Sequence, residues 1–352
     1  MDGALATGPQ DLRPTPNSPQ GSPYHREMRS DAPGSNGPPP TSSDVEPRAG
    51  VLEWLLEGDP SIRWQVLRDL LSAPPAEVTA ERDRVARTGW GRRLLSEQDA
   101  DGRWAAGLYS PKWTSTTYTL LLLHWLGLRP GNAQALLGCR LLWDGASFWD
   151  GGLSLAKTIR EPEVCITGML VLLASSFGHR DERVDDTVRW LLSHQLADGG
   201  WNCDSVRRGS QHGSFHTSIT VLDALTAYHD GTLTVDDATS RGRAFFLRHQ
   251  LYRSHRTGAV VDQAFTRFPF PPQWHFDVLR GLEHFAAVRA PADERLADAV
   301  DVVRRRRLAD GRWPVHRAYA GRFWFQMEGP GPSRWATLRC LRVLRWWDEQ
   351  SR

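Results

Sequence analysis

From about residue 50 onward, near-continuous apolar blocks alternate with segments that are apolar on one side only. The blocks read "PSIRWQVLRDLL", "WTSTTYTLLLLHWLGL", "EVCITGMLVLLASSFG", "FHTSITVLDALTAY", "PQWHFDVLRGLEHFA" and "PSRWATLRCLRVLRWW". Each is long enough for a helix and shows no broad polar face, which predicts burial on most sides. Segments such as "ERVDDTVRWLLSHQ" and "ERLADAVDVVRRRR" keep their apolar residues to one face and predict amphipathic helices backing the buried ones. This gives six apolar helices and about five amphipathic ones.

Glycine turns punctuate the pattern. "EQDADGRW" (97–104), "HQLADGGW" (194–201) and "RRLADGRW" (306–313) are near-copies, with a weaker "SFWDGGLS" (147–154) and a degenerate "SHRTGAVV" (254–261). Taking Asp101, Asp150, Asp198, Thr257 and Asp310 as equivalent, the steps are 49, 48, 59 and 53 residues, room for two helices and a turn. Six buried helices, each backed by an exposed one, predict an all-α (α/α)6 toroid, a barrel of helical hairpins over 49–352, with a central cavity where the apolar helices begin. Residues 1–48 are rich in Pro, Gly and Ser and poor in aliphatic side chains. Such a segment cannot bury enough surface to offset chain entropy, so a disordered tail is expected there.

Composition narrows the partners. The chain of 352 residues is 40% hydrophobic with a net charge of +2, enough for a core and too little charge to imply nucleic acid. No apolar run reaches the roughly eighteen residues that suggest a membrane span, and none resembles a signal peptide. A soluble, cytoplasmic protein without a transmembrane segment is the expectation. Cys139, Cys165, Cys203 and Cys340 are widely and irregularly spaced, which disfavours a disulfide framework and leaves burial or metal binding open.

The "QxxDGxW" turns resemble the repeats of squalene and oxidosqualene cyclases and of protein prenyltransferase β subunits, both (α/α)6 toroids. The resemblance covers roughly residues 50–350. The cyclase branch implies a "DxDD" acid. The nearest matches, "RVDD" (183–186) and "TVDD" (234–237), lack the first acid and sit where amphipathic helices start, positions at which Asp ordinarily caps amides. The prenyltransferase branch implies zinc, held by a carboxylate and a cysteine two residues apart at one inner-helix start and a histidine at the next. Glu163, Cys165 and His216 match those positions, with Glu in place of the family's Asp. Cys203, thirteen residues before His216, is a candidate fourth ligand that would make the site structural rather than catalytic. The same resemblance places Lys157 and Arg160 on the diphosphate-binding loop. The chain's other lysine, Lys112, lies with Tyr109 on the loop one repeat earlier.

Trp64, Trp113, Trp274 and Trp335 recur near inner-helix starts; lining a cavity for an isoprenoid and packing between helices are both open. His212, His275, Tyr118 and Glu328 are further cavity candidates, and the long segment 316–335 is expected to form a lid. The resemblance therefore implies a zinc-dependent prenyltransferase-like or cyclase-like enzyme. Its substrate would be a small-molecule isoprenoid diphosphate or a similar amphiphile. Zinc would activate a thiol, and Lys157, Arg160 and Lys112 would stabilise the leaving diphosphate. The alternatives are a terpene cyclase with another acid, and a non-catalytic toroid binding module with a structural zinc. The protein prenyltransferases also require an α subunit, which this chain does not contain.

Overall fold

The computed structural model describes residues 50–156, 158–228 and 233–351; the expected tail and Lys157 lie outside them. Within the described residues the tryptophan of each full glycine turn is fixed in the same way. Trp104 Nε1 donates to Leu94 O, Trp201 Nε1 to Leu191 O and Trp313 Nε1 to Val303 O, each over 2.8 Å and each reaching ten residues back. All three indoles are fully buried. The Asp of each turn accepts from a backbone N–H two residues on: Arg103, Gly200 and Arg312. Gly102, Gly199 and Gly311 follow at φ of 86°, 90° and 88°, a left-handed conformation that costs glycine least.

In chain order the helices are α1 (Val51–Leu56), α2 (Pro60–Asp69), α3 (Pro75–Asp83), α4 (Gly89–Ser96), α5 (Thr116–Leu126), α6 (Ala133–Gly145), α7 (Val164–Phe177), α8 (Arg183–Ser193), α9 (Cys203–Arg208), α10 (Phe215–Ala227), α11 (Asp236–Arg248), α12 (Val278–Ala287), α13 (Ala297–Arg305) and α14 (Arg334–Gln350). Two antiparallel hairpins pair β1 (Ser147–Trp149) with β2 (Gly152–Ser154), and β3 (Trp313–Pro314) with β4 (Pro332–Ser333). The first is the weak "SFWDGGLS" turn, with Phe148 opposite Leu153. The described chain is thus mostly helical.

The six apolar blocks are α2, α5, α7, α10, α12 and α14. Trp64 Nε1 donates to Leu126 O across α2 and α5. Helix α5 packs on α7, and α7 on α10, where Gly168 lets the backbone of Val221 approach. From α10 onward the joints become ionic. Arg280 meets Asp223 at 3.0 Å, Arg339 meets Glu283 at 2.7 Å, and Arg342 reaches both Asp69 (2.9 Å) and Gln65 (2.6 Å) on α2. Contacts therefore link each of the six helices to the next in chain order, and α14 to α2.

Amphipathic helices pack outside this series: α6 against α5 and α7, α8 against α7, α11 against α10, α13 against α12 and α14. The "RVDD" and "TVDD" carboxylates fall in the first turns of α8 and α11. There Asp186 pairs with Arg189, and Asp237 with Arg241.

Candidate functional site

Loop 105–115 and the starts of α7, α9 and α10 form the rim singled out by sequence. Glu163 is buried, and its Oε2 accepts from Ser154 Oγ at 3.1 Å. Burial pushes its carboxyl above the ordinary range. Cys165 and Cys203 meet: the Cys165 N–H donates to Cys203 Sγ at 3.2 Å, and Thr217 Oγ1 donates to the same sulfur at 3.6 Å. The hydrogen bond between the thiols makes Cys203 the more acidic partner and pushes Cys165 up. Burial and the neighbouring Cys165 and Glu163 raise the Tyr109 hydroxyl.

His216 does not join them. Its Nδ1 accepts from the Phe276 N–H at 2.8 Å, and its ring meets Phe265, Trp274 and His275 edge to face. Burial lowers its imidazole to about 4. Among the described residues no three His, Cys, Asp or Glu side chains come together as metal ligands. The expected set of Glu163, Cys165, His216 and Cys203 is not assembled, and the donors present do not fit zinc. The physical reason is that α10 turns its histidine toward the following repeat, where a backbone amide occupies one ring nitrogen. Arg160 and Lys112 are exposed, and Lys112 Nζ lies 5.4 Å from the ring centroids of both Trp113 and Trp274.

Above this rim the rings pack on one another. His275 is stacked between Trp274 and Tyr319, at 3.8 and 3.5 Å. Trp113 stands edge-on to Tyr118 at 4.8 Å. Segment 316–335 crosses over them: Trp113 Nε1 donates to Tyr319 O, Arg322 N to Lys112 O and Trp324 Nε1 to Thr119 Oγ1. A side chain at Gly321 would run into the Trp113 indole at 2.3 Å, so glycine permits this close cover. His212 lies exposed beside the rim. Trp64 sits elsewhere, between the guanidiniums of Arg68 and Arg82 at the far end of α5.

A chamber of about 300 Å³ lies among the bodies of the apolar helices. Trp125, Phe270 and Trp335 form an aromatic wall, with Phe270 stacked on Trp335 at 3.9 Å and 12°. Opposite chemistry comes from Arg280, Glu283 and His284 on α12, Arg339 and Arg342 on α14, and Asp223 on α10. The spacings 280, 283, 284 and 339, 342 are one-face spacings of a helix. Burial pushes Asp223 up, yet Arg280 and His284 more than offset it and hold its carboxyl below the ordinary range. Burial opposes the charge on Arg339, but Glu283 and Asp277 keep that guanidinium above its usual value.

Asp277 caps α12 by accepting from Arg280 N at 2.8 Å. It is fully buried, its Oδ2 has no partner among the described residues, and burial raises it to about 6. A second chamber of about 380 Å³ shares Phe270 and is lined by Phe268, Phe323, Phe325, Met327 and Glu328. Glu328 accepts from Ser333 Oγ and Trp335 N, and burial raises its carboxyl.

Of the residues around the first chamber the sequence reading singled out Trp335; Arg280, Glu283, His284, Arg339 and Arg342 escaped it because no recognised motif marks single charged residues inside apolar blocks. The signal that finds them is polar residues recurring at helical spacing inside otherwise apolar blocks, "VLRGLEHF" and "TLRCLRVL".

No protein-family model matches the chain, and no curated protein matches it. Among solved structures, a protein from Actinoplanes is 18% identical, covering 83% of this chain and 90% of that one at a TM-score of 0.44. The type II terpene cyclase MstE from Scytonema is 14% identical in its apo form, with coverages of 82% and 88% and a TM-score of 0.41. A variant of that enzyme in complex with its substrate, geranylgeranyl dihydroxybenzoate, is 13% identical over 83% and 88%, at 0.44. No helix among the described residues is long and apolar enough to cross a membrane.

Proposed function

We propose that the six apolar helices close into an α/α ring whose central chamber binds an amphipathic isoprenoid, and that the protein is a cyclase-like enzyme. What supports this most is the chamber's divided wall, aromatic rings on one side and buried charge on the other. Of the six ionisable groups Arg280, His284 and Arg339 are buried; desolvating them is costly, and paired charges of this kind do little for net stability. Grouped around a cavity, they are better accounted for by a ligand. The rings suit an apolar chain and also a carbocation, which is drawn to a ring face.

Proton-initiated chemistry fits the residues better than diphosphate transfer. Every arginine at the chamber already has a carboxylate partner, so no surplus positive charge awaits a diphosphate. Asp277 does not line the chamber but lies behind its charged wall, where burial raises it to about 6 and it feels Arg339, Glu283 and Arg280; it carries a proton for part of the time near neutral pH and is the acid we assign. Transfer of that proton to an isoprenoid double bond leaves a carbocation on the chain and a carboxylate on Asp277. Attack by a second double bond closes a ring, and loss of a proton ends the sequence.

The test incubates the protein with geranylgeranyl dihydroxybenzoate and with simple polyprenes. The expected product has the mass of its precursor and fewer alkene protons by NMR, and Asp277→Asn abolishes it while binding persists. Binding without turnover in the wild type would make the protein a binding module. No binding of any isoprenoid would overturn the reading.

A further inference from the structure

Three buried side chains at the chamber keep a polar atom without a partner among the described residues: Arg339 Nη1, Trp335 Nε1 and His284 Nε2. Arg339 is held on Glu283 Oε2 by a hydrogen bond from Nε at 2.8 Å, with Nη2 in ion-pair contact with the same oxygen at 2.7 Å though off hydrogen-bond geometry. That leaves Nη1, on the opposite side of the planar fork, as the free donor. Trp335 is fixed by its stack on Phe270, so the direction of its N–H is fixed too. The two residues are four apart on α14, one turn along one face. His284 Nδ1 lies 3.2 Å from Asp223 Oδ1. An Nδ1–H···O bond there leaves Nε2 an acceptor, outside the donor pair.

We propose that the ligand of this chamber carries a carboxylate, and that Arg339 Nη1 and Trp335 Nε1 are the donors that receive it. The inference rests on the chamber being the substrate site and adds the chemical class of the substrate's polar end. Two fixed, buried donors with no protein acceptor cost folding free energy that an incoming acceptor recovers. An amine would find no acceptor in the pair. An alcohol would make neutral bonds about half as strong as those to a carboxylate. A diphosphate would bring more charge than one free guanidinium edge can match, against Asp223 and Glu283.

The experiment measures binding of four probes that share a farnesyl tail: the carboxylic acid, the alcohol, the amine and the diphosphate. The acid is expected to bind roughly tenfold more tightly than the alcohol, with the amine weakest. Trp335→Phe keeps the stack and removes the donor; it should erase most of the acid's advantage and weaken alcohol binding much less. Arg339→Met with Glu283→Gln removes the guanidinium without stranding its partner and should do the same. Equal binding of acid, alcohol and amine overturns the inference, as does an acid preference that survives both variants. Tightest binding by the diphosphate also overturns it. Failure of all four probes, tail included, would instead remove the chamber as an isoprenoid site.

Discussion

The arc from α5 through α7 to α10 and the arc from α12 through α14 to α2 come from the same repeat, yet they are joined differently. In the first, Leu120, Ile166, Leu170, Val171 and Val221 are wholly buried, and the joints are packed side chains. In the second, ion pairs bridge neighbouring helices at the chamber wall. Packed apolar joints tolerate exchange as long as volume is kept. Ionic joints tolerate the loss of both partners far better than the loss of one. The ionisable groups of the chamber therefore belong to the arc that is expensive to build, while the apolar arc acts as its frame.

The sharpest way to break this contrast is Arg339→Met. Leaving Glu283 with only its longer 3.6 Å contact to Arg342 should cost up to about 3–5 kcal/mol in urea denaturation, and adding Glu283→Gln should recover much of it. If the double variant is as unstable as the single one, the joint is not a pair in the sense argued. Next comes Asp277. Its folded value of about 6 lies above its ordinary 3.8, so the folded state favours the protonated form. The stability this gives is fully present below about pH 4 and lost as pH rises through 6. Asp277→Asn, which keeps a capping acceptor, should be more stable than the wild type above about pH 7, by up to about 3 kcal/mol. The two proteins should converge in acid, and a difference independent of pH would sink the assignment.

In the apolar arc, Leu170→Met should cost less than about 1.5 kcal/mol. A larger loss would show that this arc, too, depends on a unique arrangement. The smallest effect is expected at the rim, where chelator should leave the melting temperature unchanged. A drop of several degrees would restore a zinc set there.

The turns were legible because their chemistry is local: Asp, Gly and Trp act within ten residues of one another. The apolar blocks were legible for the same reason, since burial of α7 and α10 shows in their composition. The chamber was not, because Arg280 and Asp223 are 57 residues apart and no spacing rule links them. Rarity also misled. Two lysines among 43 basic residues drew attention to Lys112, which proves exposed over two indoles. His216 stands one repeat after Cys165, as a convergent set requires, but the Phe276 amide shows that shared register does not ensure shared direction.

The backbone N–H of each turn tryptophan also donates to a hydroxyl in the first turn of the next apolar helix: Trp104 to Thr116, Trp201 to Ser218, Trp313 to Thr337. The chain between those two anchors spans 12, 17 and 24 positions, and the bond is kept each time. Such a loop is a cassette with standard couplings at both ends. Its contents can be lengthened, shortened or exchanged without disturbing the helices it joins, because loop-closure entropy grows only slowly with length. The longest of them carries the cover over the aromatic rim. An ancestor could therefore have acquired a new mouth, and with it a new range of guests, by insertion alone, and a protein engineer has the same freedom.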